Sequence, residues 1–407
     1  MEKLSKNFFW MAAANIVSSI LSITLFIYLA RVLAPESFGL LSYIFTLVFF
    51  LANFIDLGLS TYGMREIAKD RSRASQYLSE IASLRILIAS GLCLLFLVSG
   101  LVVRDAHHLK LLMFASSVIF FMWALASEWA FQGLEKMHIV FLSMATTGAL
   151  QLGLMFLFVK SSGDLPKVPI LYFAASVPMA AVLLTKLRFR LIMKADELKR
   201  IARYLSSSFC IWGISIFAQI YNSLDVFILG LSRSPEEVGY YTVARRFTGS
   251  IALLLVFLAG AVFPSLSSSA FQGDQKRFKA ATGKFLTLAV FIAVFALVPL
   301  ILFSKTLVTF VVGIEYAPAA EPLRIMAIGL LIILFNLPFS TGLIASGYEK
   351  DVLKQAFASA VLSISSNFIL MPKYGMLGGS ISFVLAESLA LVWILYLYRS
   401  RIKTREG

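Results

Sequence analysis

Among the ionisable side chains within the long apolar stretches of this 407-residue chain, six stand out: Arg85, Arg245, Arg246, Arg324, Asp225 and Glu387. Such groups are costly in hydrocarbon and are functional candidates by default. Their types divide the chemistry in two. A planar guanidinium suits the oxygens of a phosphate, so the four arginines are the candidate substrate-binding residues for an anion. A carboxylate in an apolar stretch can take a proton or pair with a cation, so Asp225 and Glu387 are the candidate ion-coupling groups. Glu387 lies in ISFVLAESLALVW with no charge beside it. At about 1.5 Å rise per residue, Asp225 and the Arg245-Arg246 pair fall at similar depths. One arginine is then expected to pair with Asp225, leaving the other to face a cavity. Arg85 lies roughly 10 Å inside one end of its stretch by the same rise, where it can bind an anionic headgroup or pair with Glu80 or Glu128. Arg324 is near the end of its stretch, from which a long side chain can snorkel to the interface. Asp56 and Glu128 also stand near stretch ends and read as solvated or capping acids.

Other chemistries find little support. There is no Walker A pattern for ATP hydrolysis, no Ser/His/Asp constellation in a loop, and no acidic cluster suited to a metal-dependent glycosyltransferase. His107, His108 and His138 are joined by only two cysteines, Cys93 and Cys210, both in apolar segments and far apart. They read as small core residues, with no zinc site or disulfide. No metal and no cofactor are expected, and the chain reads as a transporter, not an enzyme.

The elements that hold these residues follow from composition. Hydrophobic residues make up 59% and charged residues 14%, against roughly 45–50% and about 25% in soluble domains. The chain carries 36 Lys and Arg against 22 Asp and Glu. In a soluble protein that excess would suggest nucleic acid; here it fits the basic cytoplasmic loops of a membrane protein, facing anionic lipid, so no nucleic-acid partner is expected. With roughly 20 apolar residues needed to cross the hydrocarbon core, the sequence predicts 12 spans, at about 8–29, 38–59, 79–103, 110–131, 138–159, 168–186, 205–231, 238–263, 284–304, 320–345, 353–371 and 376–398. Runs such as LRILIASGLCLLFLVSGLVV lack the alternation of a β-barrel, so the fold class is an all-α integral membrane protein. The first apolar run is too long for a signal peptide. Of the 36 basic residues, 24 fall at the termini and in the connections on one face and eight on the other. That bias places both termini in the cytoplasm.

Punctuation within the chain repeats. APESFG at 34–39 follows the first span and SPEEVG at 234–239 follows the seventh; QGLEK at 132–136 follows the fourth and SGYEK at 346–350 the tenth. Gly133, Glu135 and Lys136 match Gly347, Glu349 and Lys350 in that alignment. The chain therefore divides into an N-terminal six-helix lobe at 1–186, a basic linker at 187–204 expected to form an amphipathic surface helix, and a C-terminal six-helix lobe at 205–407. Six helices per copy give both copies one orientation, with a pseudo-two-fold along the membrane normal and the substrate site between the lobes. Each motif reads as a helix start. Pro35 and Pro235 suit the first helical position, Ser234 suits the cap with Glu237 completing a capping box, and Ala34 is a poor cap. Gly39 and Gly239, one turn in, favour close helix approach. Asn53, Gln151, Gln219, Asn222, Asn336 and Asn367 add neutral polar groups to the spans. Pro264, Pro299 and Pro338 mark kinks or ends, with Asn336-Leu337-Pro338 the favoured bend.

Several stretches are similar to one known family: YLARVLAPESFGLLSY, DLGLSTYGMREIAK, EWAFQGLEK, SLDVFILGLSRSPEEVGYYTVARRF and KYGMLGGSISFVLAE. In order, they resemble the Wzx-type polysaccharide flippases of the multidrug/oligosaccharidyl-lipid/polysaccharide exporter superfamily, over about residues 8–398. The resemblance implies two six-helix lobes in a MATE-like V and a cationic central cavity. It also implies alternating access that moves a polyprenyl-diphosphate-linked oligosaccharide from the cytoplasmic to the outer leaflet for cell-surface polysaccharide such as O-antigen. The implied setting is the cytoplasmic (inner) membrane, with membrane lipids, H+ or Na+ as coupling ion, and polysaccharide polymerase and assembly proteins as partners. A subset of Arg85, Arg245, Arg246 and Arg324 would then hold the diphosphate, and Glu387 or Asp225 would couple to the ion. Two other readings stand beside it: an ion-coupled multidrug or organic-cation antiporter of the same superfamily, and a membrane glycan polymerase or ligase, which would need a larger extracytoplasmic loop.

Overall fold

The computed structural model describes residues 2–102, 107–192, 204, 208, 212, 213, 216, 219, 223–272 and 274–401. Among them every regular element is a helix, and ten stretches are long and apolar enough to cross a membrane. The chain is a multi-pass, all-α membrane protein. One of the ten stretches covers 65 residues, Ser5–Lys69, and contains the first two expected spans. The expected seventh span, 205–231, and Cys210 within it lie largely outside the described residues. The chain divides into two compact units, residues 1–223 and 224–407.

The first unit begins with helix α1 (Glu2–Asp56), which breaks at Ala34 (φ 59°, ψ 166°). Pro35 causes the break: its ring clashes with a helical predecessor and it has no N–H to bond backwards. APESFG is therefore a helix restart, as its composition predicts. The helix breaks again at Leu57 (φ 46°) and Gly58 (φ 76°) before α2 (Leu59–Lys69). Helix α3 (Ala74–Val102) follows. The expected fourth span is not one helix but three: α4 (His107–Ser116), α5 (Ile119–Leu125) and α6 (Glu128–Gly133). At both breaks a serine hydroxyl bonds a nearby carbonyl, Ser117 to Phe114 at 2.7 Å and Ser127 to Leu125 at 2.8 Å, competing with the helical ladder. Helices α7 (Met137–Phe158) and α8 (Lys167–Lys186) are the unit's next apolar spans among the described residues. Trp129 packs over Gly63 so closely that any Cβ there would collide with its ring and with Ile81, which accounts for glycine at 63.

Between α7 and α8 the Asp164 carboxylate accepts the Lys160 N–H at 2.9 Å and the Lys167 ammonium at 2.6 Å. The Lys167 hydrogen bond, then the backbone donors, hold its pKa down at about 2. The expected amphipathic linker helix is not found over 187–192. That segment runs as a turn and extended chain along α3, with the N–H groups of Arg190 and Ile192 donating to Ser79 and Ser83 Oγ at 3.0 and 2.9 Å. Ser79 and Ser83 are four apart on α3 and so share one face; they supply the acceptors a helix would have supplied internally. Residues 193–203 lie outside the described residues. Beyond them, Tyr204 stacks on Tyr62 and donates to Glu80 at 2.7 Å.

In the second unit, α9 (Ser223–Ser232) leads to α10 (Pro235–Phe271). Helix α11 (Gln275–Ile292) passes through one π turn at Ala293–Leu297 into α12 (Val298–Leu302), the π turn falling just before Pro299, which cannot donate to the ladder. Next come α13 (Ser304–Val312), α14 (Ala320–Ala345), α15 (Glu349–Tyr374) and α16 (Met376–Arg401). Helices α10 and α14 are continuous across Pro264 and Pro338.

SPEEVG caps α10 as its residues predict, with Ser234 Oγ accepting the Glu237 N–H and Pro235 opening the helix. The reciprocal half of the capping box is not made. The Glu237 carboxylate instead accepts the Met376 N–H at 3.2 Å, while Arg233 donates to the carbonyls of Pro372 and Lys373 at 2.9 and 2.7 Å. The motif thus staples the α15–α16 turn. Glu237→Ala is expected to cost about 1 kcal/mol and Glu236→Ala, fully on the exposed side, a few tenths at most. Thermal unfolding of the detergent-solubilised protein distinguishes these; equal effects would refute the staple.

The second echo is corrected in register. Lys136 N–H bonds to Phe131 O at 2.9 Å, and Tyr348 N–H bonds to Leu343 O at 3.0 Å. These are the same helix-ending turn, with Glu135 (φ 57°) and Gly347 (φ 85°) as the left-handed residues. Their offset is 212, two short of the 214 that matches the letters. Gly133 and Gly347 therefore do different jobs, and the shared feature is the turn.

Candidate functional site

In the second unit the sequence-predicted pair is present. Asp225, 4% exposed on α9, accepts the hydroxyl of Tyr241 at 2.8 Å and its neighbour's N–H at 2.8 Å, and pairs with Arg245. Tyr241 and Arg245 are four apart on α10 and so present adjacent donors on one face. These donors satisfy the carboxylate in an otherwise apolar setting, where partners are obligatory. Arg246, half-buried, is the next residue of α10, about 100° further around its axis. Arg324 is exposed on α14 and its Nε donates to Ser304 Oγ at 2.6 Å, Ser304 itself being fully buried at the start of α13. Glu387 lies half-buried in the middle of α16, between the buried Ala386 and Ala390.

Arg85 belongs to the first unit and its pairing differs from expectation. Its guanidinium forms an ion pair with Asp56, and the Glu128 carboxylate also lies close enough to favour its charge. Glu80 takes the Tyr204 hydroxyl and the Gln76 amide, and Glu128 takes Ser143 Oγ at 2.8 Å. Asp56 ends α1 at the left-handed turn Leu57-Gly58, beside Arg85. The same oxygen accepts the N–H and hydroxyl of Ser60 at 3.1 and 2.7 Å, capping α2. Capping was the expected role of Asp56; the ion pair was not. The guanidinium of Arg85 also donates to Ser60 Oγ and to the Ala126 carbonyl, the latter at 3.1 Å, and lies over the Trp129 ring. Arg85 is 3% exposed and Asp56 37%, so the pair has one buried end and one wet end.

Beside this pair is a cavity of about 190 Å³, lined by residues that include Trp123, Ala126, Glu128, Thr147, Gln151 and Ser176. Among the described residues no group of three or more His, Cys, Asp and Glu could hold a metal ion. Asp56, Tyr241 and Ser304 are the site residues that sequence reasoning did not assign. Tyr241 was signalled by its four-residue spacing from Arg245, and Asp56 by the Asp-x-Gly-x-Ser turn at 56–60.

Comparison with known proteins gives these features a context. The chain matches the profile of the polysaccharide biosynthesis protein family over residues 4–270, and that of MatE over 211–369. It is 24% identical over 409 residues to a protein of Escherichia coli (strain K12) named "Putative O-antigen transporter", covering 98% of this chain and 97% of the relative. Its fold is shared with an inward-facing multidrug resistance MATE family transporter of the MOP superfamily (TM-score 0.70, 16% identity, 96% of this chain and 95% of that one). The lipid II flippase MurJ in an inward closed conformation is equally similar (TM-score 0.71, 16% identity, 95% and 86%). Since one profile spans about two-thirds of its length, the chain belongs to the polysaccharide biosynthesis protein family, built on the MATE-like helical fold.

Proposed function

We propose that this protein is a flippase that moves a polyprenyl-diphosphate-linked oligosaccharide from the cytoplasmic to the outer leaflet by alternating access. In this reading it is a duplicated pair of six-helix lobes, 1–186 and 205–407, joined at 187–204, with both termini in the cytoplasm. The carrying observation is the combination of a polysaccharide-biosynthesis sequence over residues 4–270 with arginines inside membrane spans. The only charge shared by all lipid-linked glycans of this class is a diphosphate, and guanidinium matches it geometrically. The fold alone does not choose, because a multidrug transporter and a lipid flippase have it in common.

The pairing geometry supports a mechanism of exchange. Arg85 and Arg245 each bond a carboxylate, Asp56 and Asp225. An uncompensated charge there would be costly, so the carboxylates act as place-holders until a diphosphate takes their position. Arg246 and Arg324 complete the proposed anion contacts. A buried carboxylate displaced from its arginine needs a new positive partner, which makes Asp225 the proposed coupling group for H+ or Na+. Glu387 is the second such group.

Deleting the gene and analysing lipid-linked glycans tests the reading. The expected result is accumulation of one polyprenyl-diphosphate glycan on the cytoplasmic side, cleared by the wild-type gene and cleared at least about tenfold more slowly with Arg246→Ala or Glu387→Gln. No accumulation overturns the flippase reading. Full complementation by both variants removes those two residues from the mechanism. A changed sensitivity to organic cations without glycan accumulation would favour the antiporter.

A further inference from the structure

We infer that the cavity beside Arg85 is a subsite for the first sugar of the transported glycan, the pyranose bonded directly to the diphosphate. The inference rests on the flippase reading and adds a substrate group to it.

Four features of the cavity select that ligand. Ser143, Thr147 and Gln151 recur every four residues on α7 and so form one polar stripe. Ser143 fixes the Glu128 carboxylate at 2.8 Å, and Thr147 and Gln151 continue the stripe along the cavity wall. With Ser176 from α8 they present hydroxyls, an amide and one carboxylate, the groups that hydrogen-bond ring hydroxyls. Trp123, 41% exposed, lines the same cavity, its ring held edge-to-face by Phe49 at 6.2 Å. An aromatic face offers a platform for the C–H face of a pyranose. The lining has no Lys, Arg or His and one carboxylate, so it offers a phosphate no cation of its own, and the diphosphate stays at Arg85. The volume of about 190 Å³ is many times the ~10–15 Å³ that one water needs, and more than a bare monovalent ion needs.

Position identifies which sugar. Ala126 lines the cavity, and its carbonyl is the acceptor for Arg85 at 3.1 Å. The guanidinium proposed to exchange Asp56 for phosphate therefore adjoins the cavity through one residue. A ring one bond from the diphosphate reaches the cavity while the phosphate remains at Arg85; later sugars of the glycan lie beyond it. The cavity would then read the sugar that every intermediate of one glycan shares, whatever its length.

The full-length protein in lipid nanodiscs provides the test. The probes are undecaprenyl diphosphate alone and undecaprenyl diphosphate bearing one N-acetylglucosamine, N-acetylgalactosamine, glucose or galactose. Wild type is expected to bind at least one glycosylated probe about tenfold more tightly than the bare lipid, the effect of one or two well-placed hydrogen bonds. Gln151→Leu and Trp123→Leu are each expected to reduce that preference to about twofold or less. Circular dichroism and thermal unfolding establish that both variants fold, and either one suffices. Equal wild-type binding of all lipid probes, or a preference retained in both folded variants, overturns the subsite and leaves the flippase reading standing. A Na+ requirement lost in the variants with sugar preference intact overturns it in favour of an ion site. Failure of wild type to bind any lipid diphosphate overturns the flippase reading and the subsite together.

Discussion

Asp225→Leu is expected to destabilise the protein by about 3 kcal/mol, chiefly the cost of leaving a buried tyrosine hydroxyl and a buried backbone N–H without their acceptor and a part-exposed arginine without its partner. The size follows from what the substitution leaves behind. Asp225 is 4% exposed and receives a backbone N–H, the Tyr241 hydroxyl and the Arg245 guanidinium. Leucine accepts from none of them. Tyr241 is 1% exposed and loses its acceptor, and arginine cannot shed its charge. The Asp225→Leu/Arg245→Met double variant removes both charges with little change in volume, and its stability is expected to return to within about 1–2 kcal/mol of wild type, because apolar replacement of a whole buried pair is often neutral. Thermal unfolding in detergent reads both values. A single variant as stable as wild type, or a double variant no better than the single, would show that Asp225 is not the charge partner that matters. The double variant also separates structure from transport. If the pair is a place-holder for diphosphate, the refolded double variant clears no lipid-linked glycan in the deletion strain; wild-type clearance would make the pair purely structural.

That pair was legible in the sequence because α9 and α10 are adjacent and regular, so a constant rise per residue converts sequence position into depth. The same ruler failed for Arg85. Its partner lies where regularity stops: left-handed residues at Leu57 and Gly58 turn the chain, and Ser60 and Asp56 come to share Arg85. Hydrophobicity registers the apolar run of α1 but not which way a turn aims its last carboxylate. The break at Ala34 was readable for the opposite reason, since proline imposes it locally. The fourth span misled because its apolar residues continue across two serine-made breaks, and hydropathy does not see hydrogen-bond competition. The second echo shows that identity of letters and identity of role can part by two residues, because a helix-ending turn needs a left-handed position and accepts Glu135 or Gly347 there. The cavity was invisible in outline: Trp123, Glu128, Thr147, Gln151 and Ser176 come from four helices, and only the stripe on α7 had a period to read.

The Asp56–Arg85 pair yields a different, asymmetric expectation. Asp56→Ala is expected to cost about 3–5 kcal/mol, and Arg85→Met about 1–2 kcal/mol, near the range of a lost hydrogen-bonding partner. The asymmetry comes from exposure: the guanidinium is 3% accessible and the carboxylate 37%. Without Asp56, the buried Arg85 keeps its charge with only Ser60 and Ala126 as hydrogen-bond acceptors and Glu128 acting at longer range, and α2 loses the cap that Asp56 gives to Ser60. Without Arg85, Asp56 keeps both bonds to Ser60 and turns to water, while methionine fills the space beside Trp129. Equal costs, or a greater cost for Arg85→Met, would mean that packing of the guanidinium on Trp129 outweighs its charge. The two variants should also differ in function if phosphate replaces Asp56. Asp56→Asn keeps a hydrogen-bonding group of the same size and removes the competing charge, so binding of undecaprenyl diphosphate is expected to tighten about tenfold or more; Arg85→Met is expected to weaken it by a similar factor. Tighter binding in Asp56→Asn need not speed transport, because a place-holder that no longer returns to its arginine cannot expel the diphosphate on the far side. Slower glycan clearance despite tighter binding is therefore the expected pattern for this variant, and a parallel loss of both would show that Asp56 only supports the fold.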